Sequence, residues 1–136
     1  MVDRLSRAER SFLMSKIQAK NSKPEILVRS IAHRLGYRFR LHRRDLPGTP
    51  DITFPKLNKV IFVHGCYWHR HEKCRFAYSP KSNIEFWNEK FFRNVERDKK
   101  NVKELMEIGV SVLIIWECET ADIEKLNKKI LSFLSI

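Results

Sequence analysis

The sequence predicts an α/β fold in which a mixed β-sheet is flanked by helices. Three observations support this prediction. Short strand-like stretches alternate with turn residues between positions 37 and 63, a long amphipathic stretch follows them, and the most apolar segment of the chain comes next. We expect the first three strands to be antiparallel neighbours. Because a long crossover helix then leads into the last strand, that strand should lie parallel to the third.

The two longer helices have start and stop signals. The first is predicted to begin at a capping box at residues 22–25 and to end at Gly36. The long helix is predicted to begin at a second capping box, at residues 82–85, and to end near Gly109. We expect Phe86 on this helix to pack into the core.

The remaining elements are the strands and a closing helix. They are predicted at residues 37–41, 51–54, 60–63, 110–116 and 121–134. The third and fourth strands should finish at the same edge of the sheet, because they are parallel. Cys118, which follows the last strand, is therefore expected beside Cys66, which follows the third.

Length and charge limit the classes of function. A chain of 136 residues fits one domain, residues 1–136. The net charge of +11 favours a polyanionic partner, since each phosphate that a protein neutralises releases a counterion. A generally soluble basic surface is the alternative. The basic residues are spread along the chain, which suits a folded face, and we expect the basic segment at residues 1–20 to become ordered on DNA.

A membrane partner and a secreted location are disfavoured. No apolar run approaches the roughly 18 residues that a membrane-spanning helix needs. The basic N-terminus is not followed by an apolar stretch typical of a signal peptide. We therefore expect a cytoplasmic protein. Its three cysteines should stay reduced there, and an odd number also argues against a closed disulfide framework.

The stretch from Val63 to Cys74 contains three histidines, two cysteines and two large aromatic residues. Together with the distant cysteine at the last strand, it offers three thiolates and one imidazole, a set that suits tetrahedral zinc. Four protein ligands leave no open position, so this zinc should be structural. The alternative is one ordinary buried thiol and three reduced surface residues. The predicted zinc ligands are Cys66, His71, Cys74 and Cys118.

A second group of residues points to phosphodiester hydrolysis. Asp51 opens one strand, and the neighbouring strand ends in His64, with His69 following on the loop. A carboxylate can hold magnesium while an imidazole transfers a proton at a bound phosphate. The alternative for Asp51 is a turn residue after proline. Asp98 is either a solvated charge on the long helix or the residue that orients His69.

The aromatic residues of this region are suited to insertion into DNA. Tyr67 and Trp68 are adjacent on the loop, so at least one of them should be exposed, and Trp87 lies one turn into the long helix. Aromatic side chains can unstack a base step at a cost of a few kcal/mol. The alternative for Trp87 is core packing, and for Met14 on the N-terminal segment it is simple packing.

These residues resemble the very-short-patch repair (Vsr) DNA mismatch endonucleases over nearly the whole chain. The matching stretches are Arg10-Ser11-x-x-Met14-x-x-Ile17, Pro24-Glu25, Leu46-Pro47-Gly48-x-Pro50-Asp51, Phe62-x-His64-Gly65-Cys66-Tyr67-Trp68-His69, Phe86-Trp87, Lys90, Asn94-x-x-Arg97-Asp98 and Trp116-Glu117-Cys118. The resemblance implies a restriction-endonuclease-like core. It also implies nicking of one strand of double-stranded DNA 5′ to the thymine of a T:G mismatch left by deamination of 5-methylcytosine.

The resemblance also implies a role for each matching residue. Asp51 and the backbone carbonyl of Val63 would hold Mg²⁺. His69, steadied by Asp98, would be the general acid and base. His64 and Glu25 would support the network of water and phosphate, although Glu25 has an alternative role as the acid of the first capping box. The implied DNA-contacting residues are Met14, Tyr67, Trp68, Trp87, Lys90 and Asn94.

Two further functions compete with mismatch nicking by a monomer. One is a less selective nicking or restriction nuclease that uses the same site. The other is a zinc-stabilised module that binds distorted DNA without cutting it. The resemblance also makes mismatch-repair proteins plausible partners. The sequence has valine at position 63 where the family often has threonine, a change that preserves a carbonyl ligand.

Overall fold

A four-stranded mixed sheet with helices on both faces forms the centre of the computed structural model, which describes residues 22–135. The helices are α1 (Lys23–Arg34), α2 (Ile84–Glu107) and α3 (Ile123–Leu134). The strands are β1 (Arg40–Leu41), β2 (Ile52–Phe54), β3 (Lys59–His64) and β4 (Ser111–Trp116), with 3₁₀ turns at Pro55–Leu57 and Glu117–Ala121. The predicted basic segment at residues 1–20, with Met14, lies outside the described residues.

The strand order is β1-β2-β3-β4. The relative directions of the strands confirm the predicted mixed sheet. β1 and β3 each pair antiparallel with β2, whereas β3 and β4 are parallel. The α2 crossover explains the parallel pair, because it returns the chain to the edge at which β3 began. In register, His64 lies beside Trp116. The segments that follow β3 and β4 therefore leave the sheet at one edge.

Each face of the sheet has its own apolar core. Alternation along β3 sends Ile61 to one face, and Val60 and Phe62 to the other. The larger core lies under α1 and α3, and the smaller one lies under α2 around Leu105. The buried residues of the larger core are Val28, Ile31, Ala32, Ile52, Phe54, Ile61, Ile115, Leu126, Ile130 and Leu134. Replacing such a residue with alanine costs about 2–5 kcal/mol.

Helix starts follow the sequence at two of the three described helices. The Ser22 hydroxyl accepts a hydrogen bond from the backbone N–H of Glu25 at 3.3 Å, which confirms the cap of α1. Asp122 caps α3 in the same way through the N–H of Lys125. The capping box predicted at residues 82–85 is wrong, because α2 begins after Asn83, which has a left-handed conformation and makes no side-chain cap.

Two further predictions need correction. The first strand is only two residues long, because Tyr37 and Phe39 leave the ladder and pack their rings edge-on against Phe54. Phe86 is 59% exposed and does not pack into the core. In α2 only Phe91 and Leu105 are buried, so most side chains of this helix are at least partly exposed. Within residues 22–135, no helix is both long and apolar enough to cross a membrane.

Candidate active site and metal centre

A cavity of about 570 Å³ opens between the sheet and α2, on the side of the smaller core. It collects predicted site residues from four separate parts of the chain. Its lining includes His42, Asp51, Val63, His64, His69 and Asp98, together with Arg44 and Arg97. A negatively charged phosphate entering this cavity would therefore meet two carboxylates, three imidazoles and two guanidinium groups.

Asp51 lies just before β2, with its carboxylate directed towards β3. Its Oδ2 accepts a hydrogen bond from the backbone N–H of Val63 at 2.7 Å. Burial raises the pKa of Asp51 to about 7; the Val63 hydrogen bond opposes this rise, and the charge of Glu25 adds to it. A divalent cation beside the carboxylate would reverse the shift, because it stabilises the ionised form.

Glu25 and His42 lie next to Asp51. The side chain of Glu25, on α1, is only 2% exposed, and its carboxylate oxygens lie 2.9 and 3.1 Å from Nε2 of His42. One ligand atom from each of the three residues lies within 4.8 Å of the others, so the group can hold a divalent cation. The structure thus brings two predicted residues together with a histidine that was not predicted.

The register of β1 and β2 explains why His42 reaches Asp51. In the antiparallel pair of β1 and β2, Leu41 is opposite Ile52, so the next pair outwards is His42 and Asp51. The backbone N–H of His42 donates to the carbonyl oxygen of Asp51 at 3.1 Å. The sequence alone did not fix this register, because eight residues separate these two positions.

His64, His69 and Asp98 form the opposite part of the cavity lining. Nδ1 of His69 lies 2.6 Å from Oδ2 of Asp98, and the His69 ring stacks on the His64 ring with centroids 3.8 Å apart. The carboxylate fixes the proton on Nδ1 and leaves Nε2 for proton transfer. Burial, with a smaller contribution from the charge of His69, lowers the pKa of His64 to about 3, so His64 stays neutral.

The four predicted zinc ligands converge at the edge of the sheet. Nδ1 of His71 lies 3.6 Å from Sγ of Cys66 and 3.4 Å from Sγ of Cys118. Zinc–nitrogen and zinc–sulfur bonds of about 2.0 and 2.3 Å place such atoms about 3.5 Å apart in a tetrahedron. One ligand atom from each residue, including Cys74, lies within 4.8 Å of the others. The donor set and its spacing therefore fit a zinc ion.

The contact between Cys66 and Cys118 confirms the prediction made from strand order. The backbone N–H of Cys118 donates to Sγ of Cys66 at 3.4 Å. Cys66 is fully buried, and burial raises the pKa of its thiol to about 12. A thiol with so high a pKa ionises at neutral pH only with a metal ligated to it.

The loop aromatics and α2 form one aromatic cluster, which we define as Tyr67, Trp68, Tyr78, Trp87 and Phe91. Tyr67 and Trp68 are both half-buried, so the expectation that one of them would be exposed is wrong. Their rings pack edge to face at 5.1 Å, and Trp68 also contacts Trp87 at 5.9 Å. The two rings are instead partly covered by each other and by α2.

Lys90 and Asn94 hold this cluster from α2. Nζ of Lys90 lies 5.2 Å from the ring centroid of Trp68 and 5.4 Å from that of Trp87. The side-chain amide of Asn94 donates to the carbonyl oxygen of Trp68 at 3.2 Å. Polar and cationic groups therefore surround the flat rings, as a surface that binds bases and phosphates requires.

Arg70 fixes the path of the loop, and sequence reasoning missed it. Its guanidinium donates to the carbonyl oxygens of Tyr67, Ala77 and Tyr78 and lies 4.0 Å from the ring centroid of Phe91. These contacts depend on how the loop folds back, which no local pattern signals. Arg70 joins the two ends of the loop that carries the zinc ligands and the aromatic residues.

Comparison with known proteins shows which family this chain belongs to. The family described as DNA mismatch endonuclease Vsr matches residues 2–75. The type II nicking enzyme V.XorIIP of Xanthomonas oryzae pv. oryzae is 46% identical over 134 residues, which cover 98% of each chain. This chain belongs to the Vsr family of DNA mismatch endonucleases. The predicted resemblance is therefore confirmed, and the protein is an endonuclease of the Vsr family with a fold consistent with that family.

Other Vsr relatives carry two kinds of name. The type II nicking enzyme V.NmeAIP of Neisseria meningitidis is 45% identical, over 88% of this chain and 84% of its own. The DNA mismatch endonuclease Vsr of Escherichia coli is 39% identical, over 97% of this chain and 84% of its own. Both kinds of name describe enzymes that cut DNA, which excludes the non-catalytic binding module as the main function.

Proposed function

We propose that this Vsr-family endonuclease nicks one strand of double-stranded DNA 5′ to the thymine of a T:G mismatch arising from deamination of 5-methylcytosine, and that it uses Mg²⁺. The observation that supports the chemistry best is the shared cavity. It combines the half-buried carboxylate of Asp51 with the hydrogen-bonded pair of His69 and Asp98. A metal ligand and a proton-transfer group thus face the same space.

Asp51 and the backbone carbonyl of Val63 would hold the magnesium ion. When bound, the ion supplies a positive charge that neutralises the charge developing on the scissile phosphate. His69 transfers a proton at Nε2, because Asp98 occupies Nδ1. Neutral His64 stacks beneath His69 and holds its ring plane. Glu25 supports the water and phosphate network from behind Asp51.

The zinc ion would have a structural role. Bound by the four residues Cys66, His71, Cys74 and Cys118, it would join the loop after β3 to the end of β4. His69 and the two loop aromatics lie on this loop, between the first and second zinc ligands in the chain. The zinc would thereby fix the general acid and base and the DNA-contacting rings relative to the sheet.

The aromatic cluster and its neighbours would recognise the lesion. Tyr67, Trp68 and Trp87 would insert as a wedge from the major groove, at an unstacking cost that a mismatch reduces. Lys90 and Asn94 would recognise the mismatched bases. Met14, outside the described residues, would insert from the minor groove. The net charge of +11 would attract the DNA backbone.

We further propose that one domain, residues 1–136, acts as a monomer on nucleoid DNA in the cytoplasm, in concert with mismatch-repair proteins. Less selective nicking is the second candidate function. It is favoured by the names of the Xanthomonas and Neisseria relatives, which are called type II nicking enzymes. The two candidates differ in the ratio of nicking rates on mismatched and fully paired DNA.

The experiment that tests the proposed chemistry compares Asp51→Ala with Asp45→Ala. Asp45 is exposed and lies on the loop between β1 and β2, outside the cavity lining. We expect Mg²⁺-dependent nicking of a T:G duplex by the native protein and by Asp45→Ala. Asp51→Ala should remain folded and zinc-loaded yet inactive. Full activity in Asp51→Ala, or nicking that needs no divalent cation, would exclude the proposal.

A further inference from the structure

His42 lies next to Glu25 and Asp51, and the three side chains form a group that can hold a divalent cation. Its imidazole comes from the residue after β1, Glu25 comes from α1, and Asp51 comes from the start of β2. The three ligand atoms lie within 4.8 Å of one another. Three separate elements thus direct an imidazole nitrogen and two carboxylates to one point.

The distances around His42 match those around a six-coordinate cation. Its Nε2 lies 2.9 and 3.1 Å from the two carboxylate oxygens of Glu25. Adjacent ligands of an octahedral ion with bonds of about 2.1 Å lie about 3.0 Å apart. A cation can therefore take the place of the proton that Nε2 and Glu25 share, with little movement of either side chain.

The electrostatics of the site also favour a cation at this point. Glu25 is nearly inaccessible to solvent, and one of its carboxylate oxygens lies within 4.8 Å of a carboxylate oxygen of the half-buried Asp51. Two neighbouring carboxylates that have lost much of their contact with water are costly unless positive charge compensates them. Arg29 contacts Glu25 at 3.2 Å, so part of that compensation is already present on one side. A divalent ion on the side of Glu25 that faces Asp51 would lie next to both carboxylates and would stabilise their ionised forms.

We propose that His42 is a direct ligand of the divalent cation through Nε2, which makes this site bind Mn²⁺ in preference to Mg²⁺. The inference rests on the proposed function, since it adds a ligand to the cation site proposed there. Imidazole nitrogen suits transition-metal ions, whereas Mg²⁺ prefers oxygen ligands throughout. The nitrogen ligand therefore sets the cation preference, and Mg²⁺ would bind chiefly through the carboxylates.

A different role for His42 would be to orient Glu25 by a hydrogen bond. The variant His42→Gln separates the two roles, because the glutamine amide can still donate to Glu25 but offers no imidazole nitrogen. His33→Gln is the matched control, since His33 is an exposed histidine on α1. Both variants are made in the zinc-loaded full chain, so that the thiolate cluster is already filled.

The test uses Mn²⁺ as a paramagnetic probe, with no DNA present. Electron spin-echo envelope modulation detects a ¹⁴N nucleus bonded directly to Mn²⁺. We expect this signal in the native protein and in His33→Gln, and its loss in His42→Gln. Calorimetric titration should show Mn²⁺ affinity falling on the order of tenfold or more in His42→Gln, the scale on which even outer-shell partners act. Mg²⁺ affinity should change far less.

A native Mn²⁺ complex without the ¹⁴N signal would overturn the inference, and so would a signal that persists in His42→Gln. Failure of Mn²⁺ to bind at millimolar protein would do the same. Circular dichroism spectra identical to the native protein's verify that each variant is folded. Because these readouts involve no DNA, they are independent of nicking. A nitrogen-bound Mn²⁺ without nicking would leave the ligand assignment intact, and nicking without it would leave the proposed function intact.

Discussion

The imidazole rings of His64 and His69 stack face to face, with centroids 3.8 Å apart and planes 6° apart. Two protonated rings in this arrangement would repel each other. Burial prevents this by lowering the pKa of His64 to about 3. Asp98 acts on the other ring through its hydrogen bond to Nδ1. The stack therefore contains one neutral ring, His64, and one ring, His69, whose Nε2 is not occupied by Asp98.

Replacing His69 should abolish most of the activity without unfolding the protein. We expect His69→Ala to reduce the single-turnover rate of nicking about 10²- to 10⁴-fold, the usual contribution of a general acid or base. His33→Ala, at an exposed position, should keep the native rate. The rates are measured on a T:G duplex at saturating enzyme and Mg²⁺. A His69→Ala rate within a factor of two of native would remove this residue from the mechanism.

Asp51 should make the stability of the Mg²⁺-free protein depend on pH. Its folded-state pKa of about 7 lies above the ordinary value of 3.8, so the folded protein binds more protons than the unfolded chain between these values. Stability should therefore fall as pH rises through this window, on the order of 1–4 kcal/mol. Asp51→Asn should remove that fall, because asparagine stays neutral and can still accept from Val63.

The measurement is chemical unfolding of zinc-loaded protein between pH 4.5 and 8 without Mg²⁺. Asp45→Asn is the control, because the ordinary pKa of 3.8 already lies below this window and the hydrogen bond from Arg43 lowers the pKa of Asp45 further. It should reproduce the native pH dependence. Equal slopes for native protein and Asp51→Asn would show that Asp51 does not carry the shift.

Loss of one zinc ligand should disorder the loop. Native protein should contain one zinc ion per chain. His71→Gln should lose it, with an unfolding midpoint well below that of native protein, since structural zinc contributes directly to folding. His33→Gln should keep both the metal and the midpoint. Elemental analysis and thermal unfolding check these outcomes, and a stable, zinc-free native protein would contradict the structural role.

Removing a wedge ring should weaken discrimination between mismatched and paired DNA. We expect Trp68→Ala to lower the ratio of T:G to fully paired binding about 5- to 100-fold, since one base–aromatic stack contributes about 1–3 kcal/mol. Phe92→Ala, which removes a 65% exposed ring of α2 outside the aromatic cluster, should leave the ratio unchanged. Fluorescence anisotropy with labelled duplexes gives both affinities. An unchanged ratio in Trp68→Ala would exclude insertion of this ring.

Strand order and local pattern together predicted that Cys66, His71, Cys74 and Cys118 would converge. The crossover helix required β3 and β4 to be parallel, and this alone brought Cys118 to Cys66 across fifty-two positions of the chain. The continuous apolar run at residues 60–63 likewise predicted a strand there, which the structure has as β3. Such features depend on period and topology, which the sequence carries directly.

Other features depended on contacts that no local pattern encodes. His42 reaches the site only because β1 and β2 pair in one register, and the loop between them left that register open. Arg70 acts through backbone carbonyls of a folded loop. Phe86 was expected in the core from its residue type, but it is exposed. Its neighbour Trp87 packs on Phe91 within the aromatic cluster instead. Tertiary packing decides such cases.

The most direct test of the central claim is a strand-resolved nicking assay. Two duplexes of identical sequence, one with a T:G mismatch and one with C:G at that position, carry a 5′ label on either strand. With Mg²⁺, the native protein should cut only the thymine strand of the T:G duplex, on the 5′ side of the thymine, at a rate at least about tenfold above that on C:G. Equal cutting of both duplexes, or a cut in the guanine strand, would contradict the account.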